Sequence, residues 1–502
     1  MATLSPMRAA VPILDGLPLL HRGKVRDTYN LGLGNLLVVA TDAVSIFDFV
    51  LNALVPEKGY ILTAMTHFWL TFLERKGIRT HMVAAGAGID PYLPAHLRGS
   101  MDLQRRGMVV RKLTMVPVEF IGRNCLTGSV LSQYQKTGAV YGVRLEAGLQ
   151  DGDPLENMLF TPTDKAEEGH DMPVDADTVR KDYHAETMVF LQAFAEVSAY
   201  AKGCGIIMAD GKGEIGRDKN GVVRVGDEFG TPDSSRFWDA AAWGASREME
   251  TRKAPPPFDK QKVRAWGITL GINKLDPTRV EDLATVHGMS VPEDLIAQTG
   301  DTYRYIFWRL TGKTLESYTR DELEVMVPFR KKKIAIVAGS ESDMPVVSQV
   351  VASALNEHRL LSGGVMSYAT YVISCHRNPG DLDAFAESGC EGADVVICVG
   401  GMALALPGVL DALLYSKGKR IPVIGVALGK HGSRAFLAAV LSIEQLPGNP
   451  VVIDEQKERV YSGPEGLMNA LLRVRDGEMP PAKDRPHKPA LRGLRVSDYL
   501  QT

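Results

Sequence analysis

The spacing of hydrophobic and polar residues changes character once along the chain, near residue 330. Upstream of it, apolar runs are short and interrupted by polar turns. LLVVATD (36–42) reads as a strand ending in polar residues, and MVVRKL (108–113) and VPVEFIGR (116–123) read as a strand pair. TVRKDYHAETMVFLQAFAEVSAYAKGCG (178–205) keeps apolar residues at helical spacing up to a glycine stop, which predicts one long helix. GIIMADGKGEIG (205–216) and GVVRVGDE (221–228), joined at RDKN, predict a hairpin. APPPFDK (254–260) reads as a loop or arm, and TYRYIFWRLTGKTLESYT (302–319) as a closing helix. The first part of the chain is therefore expected to be α+β with antiparallel pairing.

Downstream, KIAIVA, YATYVIS, ADVVICV and IPVIGVAL are β-branched apolar runs. Between them lie the helical stretches MPVVSQVVASALNEH, PGDLDAFAESG and ALPGVLDALLYS. Strands that alternate with helices predict a parallel sheet covered on both faces, an α/β domain. The RKKK run before it reads as a solvated linker end. The expected division is 1–326, then 327–478, then a Pro-rich, basic tail or arm over 479–502.

The length of 502 residues fits this, allowing roughly three domains of about 150 residues. Lys plus Arg is 57 against 60 for Asp plus Glu, a net charge of −3. That balance offers neither the basic footprint of a nucleic-acid binder nor a polybasic membrane patch. With 45% hydrophobic and 23% charged residues, disorder is excluded. Five cysteines, at 125, 204, 375, 390 and 398, form no CxxC pair and no zinc spacing, so free thiols in a reducing compartment are expected. No apolar run approaches the ~18 residues of a membrane span, and the N-terminus shows no signal-peptide core. A cytoplasmic protein without membrane or nucleic-acid partners is the expectation.

Candidate chemistry gathers in a few turns. In HRGKVRDTY (21–29) a glycine turn exposes backbone N–H groups between Lys24 and Arg26. That suits a phosphate or, as well, a solvated surface turn. Lys212 and Glu214 alternate in MADGKGEIG and so share a strand face, and Asp227 closes the neighbouring strand. Two carboxylates beside a lysine supply hard oxygen ligands for magnesium and a cation for a triphosphate; an exposed hairpin with charge pairs is the alternative. TPDSSRFW, with Asp233, Ser235 and Arg236, and GRNCLTGS, with Arg123 and Ser129, can present hydroxyls and a guanidinium to an anion. In the second part, IAIVAGSESD turns from strand to helix. Ser340 and Ser342 stand at the helix start and Asp343 in its first turn, an anion site or simply a capped helix. YVISCHRNP ends a parallel strand with Ser374, His376 and Arg377, at the carboxyl edge where open α/β sheets bind ligands. Histidine can shuttle a proton there and arginine can hold a phosphate. GGMALALPG (400–408) is a third loop at the same edge.

Taken in order, RGKVRD, ATDAVSIFD, PEKGYILT, VPVEFIGRNCLTGS, FTPTDKAEEG, MADGKGEIG and GDEFGTPDSSRFW resemble the phosphoribosylaminoimidazole-succinocarboxamide (SAICAR) synthase family over residues 15–320. The resemblance implies an ATP-grasp-like fold that uses ATP and Mg²⁺ to couple carboxyaminoimidazole ribotide to L-aspartate. It implies Lys24, Arg26 and Lys212 on the ATP phosphates, Glu214 and Asp227 on the metal, and Lys212 and Glu214 in catalysis. It further implies Arg123, Ser129, Asp233, Ser235 and Arg236 on the ribotide or aspartate, and a loop with Asp42, Ser45 and Asp48 near the substrate. The chain departs from the family at Gly213, where a bulky residue is common, and at Gly122, where a branched one is.

GSESD, SCHRNP, GGMALALPG and IPVIGVAL resemble the aminoimidazole ribotide (AIR) carboxylase family over residues 332–445. That resemblance implies a flavodoxin-like three-layer sandwich, a homo-oligomer that in the family is an octamer, and addition of CO₂ to carbon 4 of the ring. It implies His376 as the acid/base group, with Ser340, Ser342, Asp343, Ser374 and Arg377 on ribose and phosphate. Ala405 stands where the mutase branch has a histidine before LPG, which points to direct use of CO₂; Arg377 stands where the animal branch often has lysine. An N-carboxy ribotide mutase and a non-catalytic oligomerisation module stay open beside the carboxylase. The domain order resembles that of the animal bifunctional enzyme of de novo purine biosynthesis, whose partners are small-molecule substrates.

Overall fold

The computed structural model describes residues 13–164, 172–356, 366–448, 450–455, 457, 459–482 and 485. Residues 165–169 of FTPTDKAEEG and most of the expected tail lie outside them. The chain forms two compact units, 1–330 with 473–479, and 331–472 with 480–502.

The first unit carries two main antiparallel sheets. One runs in the order Leu19–Arg22, Arg26–Gly32, Asn35–Ala40, Gly107–Arg111, Met82–Ala85. Its strands alternate, as half-buried strands do. Tyr29, Leu37, Val39 and Val109 pack on one side with Ile89 and Leu103, while Met108 and Val110 join the larger core that includes the helix Lys58–Arg75. The other sheet is centred on the long strand Ile206–Arg217, which pairs with Val118–Cys125, Val223–Gly226 and Ser235–Asp239. Phenylalanines 120, 160, 190, 194, 229 and 237 fill the core between this sheet and the helix His184–Gly203.

Three expectations need correction. MVVRKL and VPVEFIGR are strands but do not pair: the first joins Asn35–Ala40 and the second Ile206–Arg217. Neighbours in sequence usually pair, but here the intervening residues carry the chain from one sheet to the other. The expected helix over 178–205 is two helices, Ala176–Asp182 and His184–Gly203, broken where Tyr183 takes φ −126° and ψ 49°. A one-residue break leaves the apolar period intact, so the pattern hides it. The closing helix is also two, Glu293–Thr311 and Leu315–Asp321. Gly312 ends the first at φ +71° and the Thr314 hydroxyl caps the second, stop and start signals that the sequence does contain.

The second unit holds an all-parallel sheet in the order Met366–Val372, Lys332–Ala338, Val395–Gly400, Val423–Ala427, Tyr461–Ser462. Helices Met344–Asn356, Pro379–Glu387, Leu406–Ser416 and Arg434–Glu444 alternate with the strands. The strands Val395–Gly400 and Val423–Ala427 are buried at every position, which is why they read as unbroken apolar runs. Ala338 pairs with both Val372 and Val399, so three strands end level and their loops emerge side by side. Among the described residues no helix is long and apolar enough to cross a membrane, and all five cysteines are free thiols.

Candidate active site

In the first unit the basic turn is closed by the Gly23 N–H, which donates to the Arg26 carbonyl at 2.8 Å. Lys24 is exposed and holds Asp48 at 2.6 Å. Arg26 points inward, donates to Asp227 at 2.6 Å and pairs with Glu228. Burial works against its charge, but the two carboxylates outweigh burial and hold its pKa above the usual value.

The long strand sets Asp210, Lys212 and Glu214 on one face by period two, with Gly211 and Gly213 buried behind them. Lys212 donates to Glu119 at 2.8 Å. Burial again opposes the charge, and Glu119, Glu214 and Glu228 together raise the lysine pKa. Glu214 lies opposite Gly226 in the ladder, so Asp227 follows one residue on, where φ of +49° ends the strand.

Asp210 centres a second cluster. Arg123 pairs with it in one ladder and Arg236 in the other. Arg123 donates to it at 2.9 Å and to Thr161 at 2.9 Å, and Arg236 lies 3.7 Å away. A Cβ on Gly128 would stand 3.1 Å from the Arg236 guanidinium, which brings Ser129, first residue of the helix Ser129–Thr137, beside it. Two guanidiniums against one carboxylate and a helix start leave net positive charge for an anion.

Other expected residues play different parts. Asp233 is buried, with Lys58 at 2.6 Å, Lys260 at 3.4 Å and the Tyr303 hydroxyl at 2.5 Å. Burial favours its neutral form, but the lysines and the hydroxyl overcome this and keep it ionised. The Ser235 hydroxyl turns to the core: a Cβ on Gly211 would meet it at 3.0 Å and Phe194 at 3.3 Å, while Arg236 projects from the other face. Asp42 accepts the Gly59 N–H at 2.8 Å, and Ser45 lies opposite Val50 in a short hairpin. The two glycine departures have a packing cause. A Cβ on Gly213 would lie 2.5 Å from Phe229, and one on Gly122 2.9 Å from Phe194.

Sequence reasoning missed Glu119, Asp210, Lys58, Lys260 and Tyr303. Asp210 shares the strand alternation of Lys212, and Glu119 that of Arg123, so period two could have found both. Lys58 and Tyr303 reach Asp233 from 175 and 70 residues away, with no local signal. Beside Arg26, Asp227 and Glu228 lies a cavity of about 30 Å³, also lined by His81, Thr63 and Thr66. Burial depresses the His81 pKa to about 4. Among the described residues no group of three or more His, Cys, Asp or Glu is arranged to hold a metal.

In the second unit, Ser340 donates to Asp343 at 2.9 Å and lies 2.6 Å from the Ser342 hydroxyl. A single turn, Glu341–Asp343, precedes the helix proper, so Asp343 sits just before its first residue, Met344. The Asp343 carboxylate lies over two glycines, 3.8 Å from a Cβ on Gly339 and 3.4 Å from one on Gly400. Arg377 donates to the Gly339 carbonyl at 3.2 Å and joins the same loop. Ser374 is buried and accepts from the His376 and Arg377 N–H groups at 3.4 and 3.3 Å, shaping the turn that holds His376 exposed. The Gly400 carbonyl accepts the Leu428 N–H at 2.7 Å, and Met402 in the glycine-rich loop is 73% exposed with φ +57°.

Comparison with known proteins adds names to this geometry. The SAICAR synthetase family matches residues 19–276 and the AIR carboxylase family residues 333–456. The chain is 37% identical to phosphoribosylaminoimidazole-succinocarboxamide synthase of Saccharomyces cerevisiae over 313 residues, 60% of this chain and 96% of that protein. It is 40% identical over 307 residues to the protein of the same description from Thioalkalivibrio sulfidiphilus, again 60% and 96%. Among solved structures, SAICAR synthase from Saccharomyces cerevisiae complexed with SAICAR matches with a TM-score of 0.52 at 32% identity, covering 62% of this chain and 99% of that one.

Proposed function

The chain belongs to the SAICAR synthetase family, and on that premise we propose how its residues divide the work. The protein is a bifunctional enzyme of purine biosynthesis, an ATP-dependent ligase joined to an AIR carboxylase. The ligase module spans 1–326 and is ATP-grasp-like, and the carboxylase module spans 327–478. The second-first-third-fourth-fifth strand order supports a flavodoxin-like class for the latter.

One observation carries the ligase reading: a single strand presents Asp210, between two arginines, and Lys212 with Glu214 on one face. A carboxylate is a poor electrophile. Transfer of the terminal phosphoryl of ATP to the ribotide carboxylate gives an acyl phosphate, which the aspartate amine attacks with release of phosphate. The protein's task is to hold charge and align partners. Lys24, Arg26 and Lys212 hold the phosphates. Glu214 and Asp227 would hold Mg²⁺, which would offset the negative charge of the phosphates; hard carboxylate oxygens at a half-exposed position suit that ion. Arg123, Arg236 and the helix start at Ser129 grip the ribotide phosphate or the aspartate carboxylates. Asp233 supports the site from beneath by fixing Lys58 and Lys260, and Ser235 packs under it.

In the second unit the ring carbon attacks CO₂, and His376 takes the proton that this carbon then loses. Ser340, Ser342, Asp343 and Arg377 hold ribose and phosphate, on the turn shaped by Ser374. Ala405 before LPG supports direct use of CO₂. A homo-oligomer through this unit and a cytoplasmic location complete the reading. The test supplies full-length protein with aminoimidazole ribotide, bicarbonate, ATP, magnesium and aspartate. SAICAR and ADP are expected as products; a requirement for N-carboxy ribotide in place of bicarbonate would instead assign the mutase.

A further inference from the structure

We propose that Arg106 is a positioning residue for the ligase reaction, locking the loop that carries Asp42, Ser45 and Asp48 onto the start of the helix Lys58–Arg75. The inference rests on the ligase reading above. Arg106 ends the short helix Met101–Arg106, and its side chain is 16% exposed. Its guanidinium is used on several sides. Nη1 donates to the Ala40 carbonyl at 3.0 Å, where the strand Asn35–Ala40 ends. Nε and Nη2 each hold Asp102 at 3.0 Å, and Nη2 also lies 3.6 Å from Asp42. The other Asp42 oxygen accepts the Gly59 N–H at 2.8 Å, and the Val55 N–H donates to the Asp42 carbonyl at 2.8 Å.

The helix side of the junction is held by Arg106 and Asp102 again, and by Arg105. The Arg106 guanidinium stands 4.5 Å from the Tyr60 ring centre and that of Arg105 3.6 Å. The Tyr60 hydroxyl donates to Asp102 at 2.6 Å, and the Thr63 hydroxyl donates to the Arg106 carbonyl at 3.0 Å. Gly59 lets these parts close up: a Cβ there would lie 2.8 Å from both Arg106 Nη1 and the Ala40 oxygen. Arg106 thus spans a strand end, a carboxylate of the substrate loop and a helix start, and the neighbouring Lys58 is the lysine seated on Asp233. A planar fork serves such divergent acceptors; an ammonium point charge does not. Among these contacts only Asp42 belongs to the substrate loop, so Arg106 acts through that loop.

The test is steady-state kinetics of full-length Arg106→Gln, Arg106→Lys and Tyr60→Phe. Arg106→Gln is expected to raise KM for aspartate or the carboxylated ribotide by about tenfold to a hundredfold, the scale of an ångström-sized misplacement, and KM for ATP by less, since only Asp48 ties that loop to Lys24. Arg106→Lys should recover only part of this, and Tyr60→Phe should give a smaller rise in the same constant. Unchanged KM values in folded Arg106→Gln, or a loss of kcat alone, would overturn the proposal. If that variant does not fold, unchanged KM values in both Arg106→Lys and Tyr60→Phe do the same. Absence of aspartate coupling by the unaltered enzyme overturns the ligase reading itself, a different result from active but indifferent variants.

Discussion

The two candidate sites follow opposite plans. In the first unit the cations come already matched: Arg26 to Asp227 and Glu228, Lys212 to Glu119, Arg123 to Asp210, Lys58 to Asp233. A ligand entering there exchanges one charged partner for another inside a packed frame, and each group is tied to the stability of the fold. In the second unit His376 and Arg377 stand exposed on a turn beyond the strand end. The frame beneath them is a buried parallel sheet, and the chemistry is added on its loops. One site therefore trades function against stability and the other separates them.

His376→Asn gives the largest effect and tests the separated plan. Carboxylation of aminoimidazole ribotide should fall by about 10²–10⁴-fold, the usual worth of a general acid/base. The thermal midpoint and the ligase rate should stay where they are. A parallel fall in stability would break the contrast. Asp210→Asn probes the matched plan. It leaves Arg123 and Arg236 without the carboxylate between them, and loss of about 3 kcal/mol in a denaturant titration is expected together with loss of ligase turnover. Activity lost at full stability would show that the pairing is ornamental to the fold.

Acid should also separate the units. Burial holds His67 and His81, both in the first unit, at a pKa of about 4 against 6.5 when unfolded. Each stays neutral in the fold, so its contribution is complete above pH 6.5 and is lost as pH falls from there towards 4. Up to about 3 kcal/mol per histidine is at stake. All five tryptophans, at 69, 238, 243, 266 and 308, belong to the first unit, so their fluorescence reports its acid transition alone. His67→Gln and His81→Gln should each flatten the pH dependence of that transition between 6.5 and 4.

The second site was the more legible from sequence, for the same reason that it is separable. Its groups sit in continuous segments, GSESD and SCHRNP, at strand ends that the apolar runs locate. The first site was legible only where alternation within one strand carries it, as at Lys212 and Glu214. Its supporting half, Lys58 and Tyr303 on Asp233 or Glu119 on Lys212, comes from sequence separations of 175, 70 and 93 residues. No local period encodes such pairs. Ser235 illustrates a finer limit: TPDSSRFW reads as a turn that presents hydroxyls, but Ser235 opens a strand whose parity sends its hydroxyl into the core. The same dependence on tertiary packing explains the strands that chose partners in different sheets.

Gly213 sharpens the contrast at the smallest scale. It lies between Lys212 and Glu214 and faces the rings behind the strand, where an added Cβ would meet Phe229 at 2.5 Å and Phe190 at 3.2 Å. Gly213→Val overpacks that space and should cost about 1–3 kcal/mol. Because Phe229 follows Asp227 and Glu228 directly, its displacement should also lower ligase activity. Phe229→Leu alone opens a gap, yet the double variant should recover stability beyond the sum of the two, with a coupling of at least about 0.5 kcal/mol in a double-mutant cycle. Additive effects would mean that the glycine is not there for the ring. Gly425 in the second unit is the control, since its Cβ would meet Ile443 at 2.9 Å and Val451 at 3.1 Å inside a strand of the parallel sheet. Gly425→Ala should shift stability while the carboxylase kcat holds, because the reacting groups there stand on loops rather than on the strand that is disturbed.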